Sequence, residues 1–219
     1  MPTKRTFVDL TMFIHEDMPT LRPDHFAPSV IPYSDLAESG WRGSKLILDS
    51  HCGTHLDAPS HFVADGGTVD AVELADLIGR CQIVDVPVST YDAPIELEQL
   101  PEITQPRIFF RTSCSDRIET DPEGYFHHHA YLTSSTARAL VTAGVRLVGM
   151  DCPSVDLVGD DAHQILLQNN VSIIENLVNL STLPNECDVI ILPLPIVGCD
   201  GSPVRAVAEL EIPDAPGES

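Results

Sequence analysis

Apolar residues fall in short blocks along the chain, not in long runs. Blocks rich in Val, Ile, Leu and Phe occupy residues 45–49, 82–86, 107–111, 145–150, 171–174, 188–192 and 204–211, and each predicts a β-strand. Helical spacing is rarer. Residues 71–78 carry apolar side chains at 71, 72, 74, 75, 77 and 78, with Gly79 as a stop. Residues 133–143 open on Ser/Thr capping residues and end before Gly144, and residues 162–168 predict a third, short helix. The helix 133–143, Gly144 and the strand 145–150 read as one αβ unit. Five prolines between Met1 and Pro32 predict that the first 40 residues are irregular, and the polar tail from Pro213 is expected to fray. With no internal repeat or low-complexity tract, the pattern predicts a single α/β domain over residues 1–219, a sheet covered by helices.

Composition narrows the function. No apolar run approaches the ~18 residues of a membrane helix, and the first residues lack the apolar core of a secretory signal, so a cytoplasmic protein is expected. Thirty-three acidic residues against twelve basic ones give a formal net charge of −21. Such a surface repels phosphate backbones and anionic lipid, so neither nucleic acid nor membrane is an expected partner. Lys4 and Lys45 are the only lysines. An acid-rich, lysine-poor chain fits either a well-solvated surface or adaptation to a saline environment. The six cysteines form no Cys-x-x-Cys pair, and the chain is too long for a disulfide scaffold, so reduced thiols are expected.

The segment Ser50-His51-Cys52-Gly53-Thr54-His55-Leu56-Asp57-Ala58-Pro59-Ser60-His61-Phe62 stands apart. A helix is opposed by Gly53 and Pro59, and would put Asp57 about 200° further round from the face shared by His51 and His55. In extended chain the period is two, so His51, His55, Asp57 and His61 aim to one side. Two imidazoles and a carboxylate suit Zn²⁺ or Mn²⁺ and leave a position open for water, as in catalytic sites. His51, His55 and Asp57 are therefore candidate ligands. His61 is the candidate general base and then acid. The His-x-His-x-Asp-His pattern of metallo-β-lactamases, with adjacent Asp and His, is absent. Cys52 has the opposite parity and is not expected to be the nucleophile.

His-x-Gly-Thr-His-x-Asp-x-Pro-x-His-Phe resembles the motif of the metal-dependent cyclase-like hydrolases, the family of bacterial kynurenine formamidases and isatin hydrolases. Asp65-Gly66-Gly67, residues 148–156, Ile174-Glu175-Asn176-Leu177, Leu192-Pro193-Leu194 and residues 201–206 extend the likeness over nearly the whole chain. The resemblance implies a mixed β/β/α domain of the swivelling type and a homo-oligomer, dimer or tetramer. It implies one or two divalent cations per chain, with His163 and Glu175 joining Asp57 in a second metal site, and His61 as the catalytic histidine. A helix–turn–strand between His163 and Glu175 could bring those two together.

One departure bears on the substrate. The family's aromatic-bearing N-terminal segment is replaced here by Met18-Pro19-Thr20-Leu21-Arg22-Pro23-Asp24, and Arg22 suits a substrate carboxylate better than an aryl ring. His127-His128-His129 reads as a solvated loop or a substrate-contacting one, and Asp151 and Asp156 as turn and cap residues around Pro153. The expected activity is hydrolysis of a C–N amide through metal-activated water, with kynurenine formamidase chemistry the leading expectation. The alternatives are ring-opening of a cyclic amide or lactone, and a non-catalytic metal- or metabolite-binding relative.

Overall fold

The computed structural model describes residues 3–20, 27–86, 92–157 and 159–213. Its strands are β1 (Thr3–Asp9), β2 (Ser29–Ser34), β3 (Gly43–Ile47), β4 (His55–Asp57), β5 (Ile78–Asp85), β6 (Pro94–Ile95), β7 (Arg107–Arg111), β8 (Tyr131–Leu132), β9 (Leu147–Met150), β10 (Ser172–Glu175), β11 (Glu186–Pro193) and β12 (Gly201–Pro213). The helices are α1 (Leu36–Ser39), α2 (Leu74–Leu77), α3 (Pro122–His127), α4 (Ser134–Thr142) and α5 (Ala162–Gln168). No helix among the described residues is long and apolar enough to cross a membrane.

Eight strands form one sheet in the order β1-β12-β11-β5-β7-β9-β10-β4. The long β12 makes it a barrel. Its first residues, Gly201 to Pro203, pair with β4, its middle pairs with β11, and its far end pairs with β1. Because β4 also pairs with β10, the sheet closes on itself and β1 lies outside the ring. The run β5-β7-β9-β10 is parallel; the β11, β12 and β4 pairings are antiparallel.

The side-chain alternation of the parallel strands feeds two cores. Ile83, Phe109, Leu147 and Ile174 face one, with Leu56, Val189 and Ala206. Their neighbours Val84, Phe110, Val148 and Ile173 face the other, with Leu140 of α4 and Leu166 of α5. Strands buried on both faces read as continuous apolar runs, which is why these blocks stand out in the sequence. In β11 only alternate residues, Cys187, Val189 and Ile191, are buried, and Glu186 and Asp188 face water.

The αβ unit is as expected. Thr133 caps α4 by accepting from Thr136 N–H, and Gly144, at φ +82°, turns the chain into β9. Three expectations are corrected. Residues 71–78 do not form one helix: a 3₁₀ turn over Val69–Ala71 and the single-turn α2 precede Ile78, which already belongs to β5. Apolar residues at almost every position satisfy helix and strand templates alike. Gly79 lies inside β5 at φ +127°, where a Cβ would press on the Arg107 guanidinium, itself bonded to the carbonyls of Ala75, Asp76 and Arg80. The start of the chain is irregular only in part: β1 pairs with β12, and β2 and β3 form a hairpin, while residues 10–20 hold no more than one bridge and a turn. The block at 45–49 begins earlier, as β3, and leaves the strand after Ile47.

Candidate metal centre

The His51–Phe62 segment is not one extended strand. Only His55 to Asp57 is β-strand, clamped between β10 and β12. Gly53, at φ +61°, bends the chain before it, and Pro59 starts a 3₁₀ turn that ends at His61. Parity thus relates His55 and Asp57, while turns bring in His51 and His61. Gly201 makes room for His51: a Cβ there would lie 2.8 Å from the Leu56 carbonyl and 2.9 Å from His51 Cε1. His163 stands in the first turn of α5, and Glu175 ends β10. The helix–turn–strand connection does bring these two together.

Asp57 is the hub. Its side chain is buried, and its two oxygens face different partners. Oδ1 lies 2.8 Å from His51 Nδ1 and 3.4 Å from His55 Nε2; Oδ2 lies 3.5 Å from His163 Nε2. Glu175 closes the cage, with Oε2 at 3.4 Å from His55 Nε2 and Oε1 at 3.1 Å from His163 Nε2. One ligand-type atom each of His51, Asp57 and His61 lie within 4.8 Å of one another, and so do those of His55, Asp57 and Glu175.

The residues fit a divalent cation on two observations. Neither Asp57 oxygen receives an aligned hydrogen bond, despite full burial. Leaving a buried carboxylate so is costly, and a cation removes the cost. The separations of 3.1 to 3.5 Å among most of these atoms also match the edge of a tetrahedron whose metal–ligand arms are about 2.0–2.2 Å.

Outer contacts set the rings. His55 Nδ1 bonds the Gly53 carbonyl at 2.8 Å, which leaves Nε2 for the cage. Asp156 Oδ1 lies 2.7 Å from His163 Nδ1, and Asp156 Oδ2 accepts the His163 backbone N–H. Such contacts fix the tautomer of a ligating imidazole. Asp156, expected only as a turn or cap residue, is thus an orienting group for His163. Asp200 Oδ2 is 3.0 Å from His51 Nε2 and 3.1 Å from His61 Nδ1. Sequence spacing offered no signal for Asp200, which stands 139 residues beyond His61.

The metal-free electrostatics favour protons where a cation would sit. Burial by itself would lower the pKa of His55, but Asp57 and Glu175 outweigh it and push it up to about 10. His163 is likewise raised well above its ordinary value against burial, by Asp156, Asp57 and Glu175. Burial would raise Asp57, yet the imidazoles of His163, His51 and His55 hold it well below the usual carboxylate range. His61 moves the other way: burial lowers it, and its charged neighbours do not restore it.

Other expected positions divide. Arg22 lies outside the described residues. Cys52 is buried beside Met18, and burial lifts its thiol to about 11, so it is no nucleophile. Asp151 does not serve a turn around Pro153; it accepts from Thr112 and Ser113 and so ties down the segment that follows β7. His127 and His128 are exposed, but they end and cap α3 instead of forming a loop, and His129 is buried, with Nδ1 near its neighbour's carbonyl. Phe62, half exposed, stacks on His163 with centroids 4.7 Å apart and planes 14° apart, giving the site a flat apolar edge.

Residues 8–157 match the family described as putative cyclase. The chain is 31% identical over 204 residues to a kynurenine formamidase of Bacillus cereus, covering 92% of this chain and 96% of that one. Among solved structures it is similar to a potential metal-dependent hydrolase with cyclase activity, at 26% identity and a TM-score of 0.79, covering 94% of this chain and 98% of the other. It also shares its fold with an isatin hydrolase bound to the product analogue thioisatinate, at 23% identity and a TM-score of 0.85, covering 94% and 92%.

Proposed function

The chain belongs to the putative cyclase family and is a metal-dependent hydrolase, and we propose that it cleaves the C–N bond of an aryl formamide such as N-formylkynurenine. The observation that carries this reading is the cage around Asp57: two unsatisfied buried oxygens among three imidazoles and Glu175, with His61 beside them. His51, His55, Asp57, His163 and Glu175 would hold Zn²⁺ or Mn²⁺. The two Asp57 oxygens face different partners, so these residues would hold one cation or two.

A bound cation would supply Lewis acidity toward the formyl carbonyl and an acidified water as nucleophile. The chain does the rest. His61 takes a proton from the attacking water and returns it to the departing nitrogen, so formamide plus water become amine plus formate. Its depressed pKa leaves it unprotonated, ready to accept, at neutral pH. Asp156 holds the His163 ring, and Glu175 also accepts the Val155 N–H at 2.8 Å, which fixes its carboxylate. The face of Phe62 offers an aryl ring a surface beside the cage.

A cytoplasmic homodimer or homotetramer completes the proposal, tested by the mass of the protein in solution. The substrate is tested by giving metal-loaded protein N-formylkynurenine and a cyclic amide side by side. Faster turnover of the formamide supports the assignment. Preference for the ring-opening substrate replaces it with the cyclic-amide reaction.

A further inference from the structure

Asp200 sits at the junction of the two histidines with the most different tasks. Its backbone is pinned: its carbonyl accepts Ala58 N–H at 2.9 Å, and the next residue, Gly201, pairs with Asp57 across the β12–β4 ladder. The carboxylate is therefore placed by the sheet that places Asp57. Ser50 Oγ donates to Oδ1 at 3.1 Å, which turns Oδ2 toward His51 Nε2 and His61 Nδ1, at 3.0 and 3.1 Å. The two rings lie with centroids 4.1 Å apart.

A carboxylate oxygen can only accept, so each facing nitrogen must carry the hydrogen. Once a cation takes the place of the proton that His51 Nδ1 shares with Asp57 Oδ1 at 2.8 Å in the metal-free protein, that leaves neutral His51 with its lone pair on Nδ1 and neutral His61 with its lone pair on Nε2. We propose that Asp200 is a positioning residue that sets both tautomers at once, presenting His51 Nδ1 to the cation and His61 Nε2 to the attacking water. One carboxylate thereby couples metal capture to proton transfer. An imidazole in the wrong tautomer offers an N–H where the reaction needs a lone pair, and the cost in turnover is large. The catalytic consequence rests on the hydrolase reading; the tautomers do not.

The experiment compares the Zn²⁺-loaded wild type with Asp200→Asn, Asp200→Glu, His61→Ala and the His61→Ala/Asp200→Asn double variant. Asp200→Asn keeps the size of the side chain but can turn an amide N–H toward the rings. Expected are a kcat for aryl formamide hydrolysis lower by about 10²-fold with KM little changed, and Zn²⁺ affinity weaker by about 10-fold in competition with a chelating dye. Asp200→Glu should recover part of both. In the His61→Ala background of the Zn²⁺-loaded protein, Asp200→Asn should cost kcat less than about twofold, because the proton-transfer group is gone and the effect through His51 is read in metal affinity. Nitrogen-15 spectra of labelled histidine should show His61 as the Nδ1–H tautomer in the wild type and a mixture in Asp200→Asn. Full loss of kcat from Asp200→Asn on top of His61→Ala would overturn the inference, as would unchanged tautomers. If no formamide is turned over by the wild type, a tautomer change in Asp200→Asn upholds the positioning role while the substrate assignment falls.

Discussion

Loading the metal-free protein with Zn²⁺ near neutral pH should release two protons per chain from His55 and His163, with a further fraction from His51. All three have raised pKa values without metal, and His55 reaches about 10. His55 keeps its Nδ1–H on Gly53, and His163 its Nδ1–H on Asp156, so the proton each loses is the one on Nε2 inside the cage. At pH ~7.5, displacing the His55 proton costs roughly 3 kcal/mol, from 1.36 kcal/mol per pH unit. Two displaced protons make the apparent affinity rise about 100-fold per pH unit in this range. The sign for stability follows. A raised histidine contributes stability to the metal-free fold that is fully present below pH ~6.5 and is lost as pH rises through its folded value. Metal-free protein should therefore melt lower as pH climbs from neutral toward about 10, while the loaded protein should not. At a free metal concentration 100 times Kd the metal adds about 2.7 kcal/mol, or about 5–11 °C in Tm for a chain of this length. Calorimetric titration in two buffers of different ionisation enthalpy counts the protons. A binding enthalpy independent of the buffer would refute the protonated-cage reasoning.

Two other outcomes are expected. With metal bound, the acid limb of kcat/KM should inflect below pH ~6.5, because burial depresses His61 and a nearby cation acts in the same direction; an inflection above that value in a pH–rate profile would contradict the role of His61. Tyr125→Phe should lower stability by about 1–3 kcal/mol, since Tyr125 donates at 2.6 Å to Oδ1 of buried Asn176, which holds a left-handed φ of +58° beside Glu175; chemical denaturation that finds no change would show that bond to be dispensable.

Legibility in the sequence followed how local the physics is. The strands buried on both faces announced themselves because the parallel run β5-β7-β9-β10 needs apolar residues at every position. Barrel closure had no such mark: it depends on β12 being long enough to meet β4, β11 and β1 in turn, and on a three-residue β4 hidden in the His-rich segment. Strand β1, Thr3–Asp9, was invisible because its polar residues break the apolar block that marks a strand. At the site, ligand chemistry was readable because His51, His55, Asp57 and His61 crowd into eleven residues. Their common face was misread, since Gly53 and Pro59 break the strand and turns do the gathering. Asp156 and Asp200 act through contacts that only the fold creates, from the segment between β9 and α5 and from the residue just before β12. His129 looked like part of a solvated triplet, but the chain turns it inward while its two neighbours stay in water.

The most direct measurement is the rate of N-formylkynurenine hydrolysis by protein of known metal content, before and after a chelator and again after metal is restored, with His61→Ala alongside. The expected result is turnover that falls to background with the chelator, returns with Zn²⁺ or Mn²⁺, and drops by about 10²–10⁴-fold in His61→Ala while its metal content stays at the wild-type level. Turnover indifferent to the chelator, or a His61→Ala protein that loses its metal, would contradict a metal-bound water worked by His61.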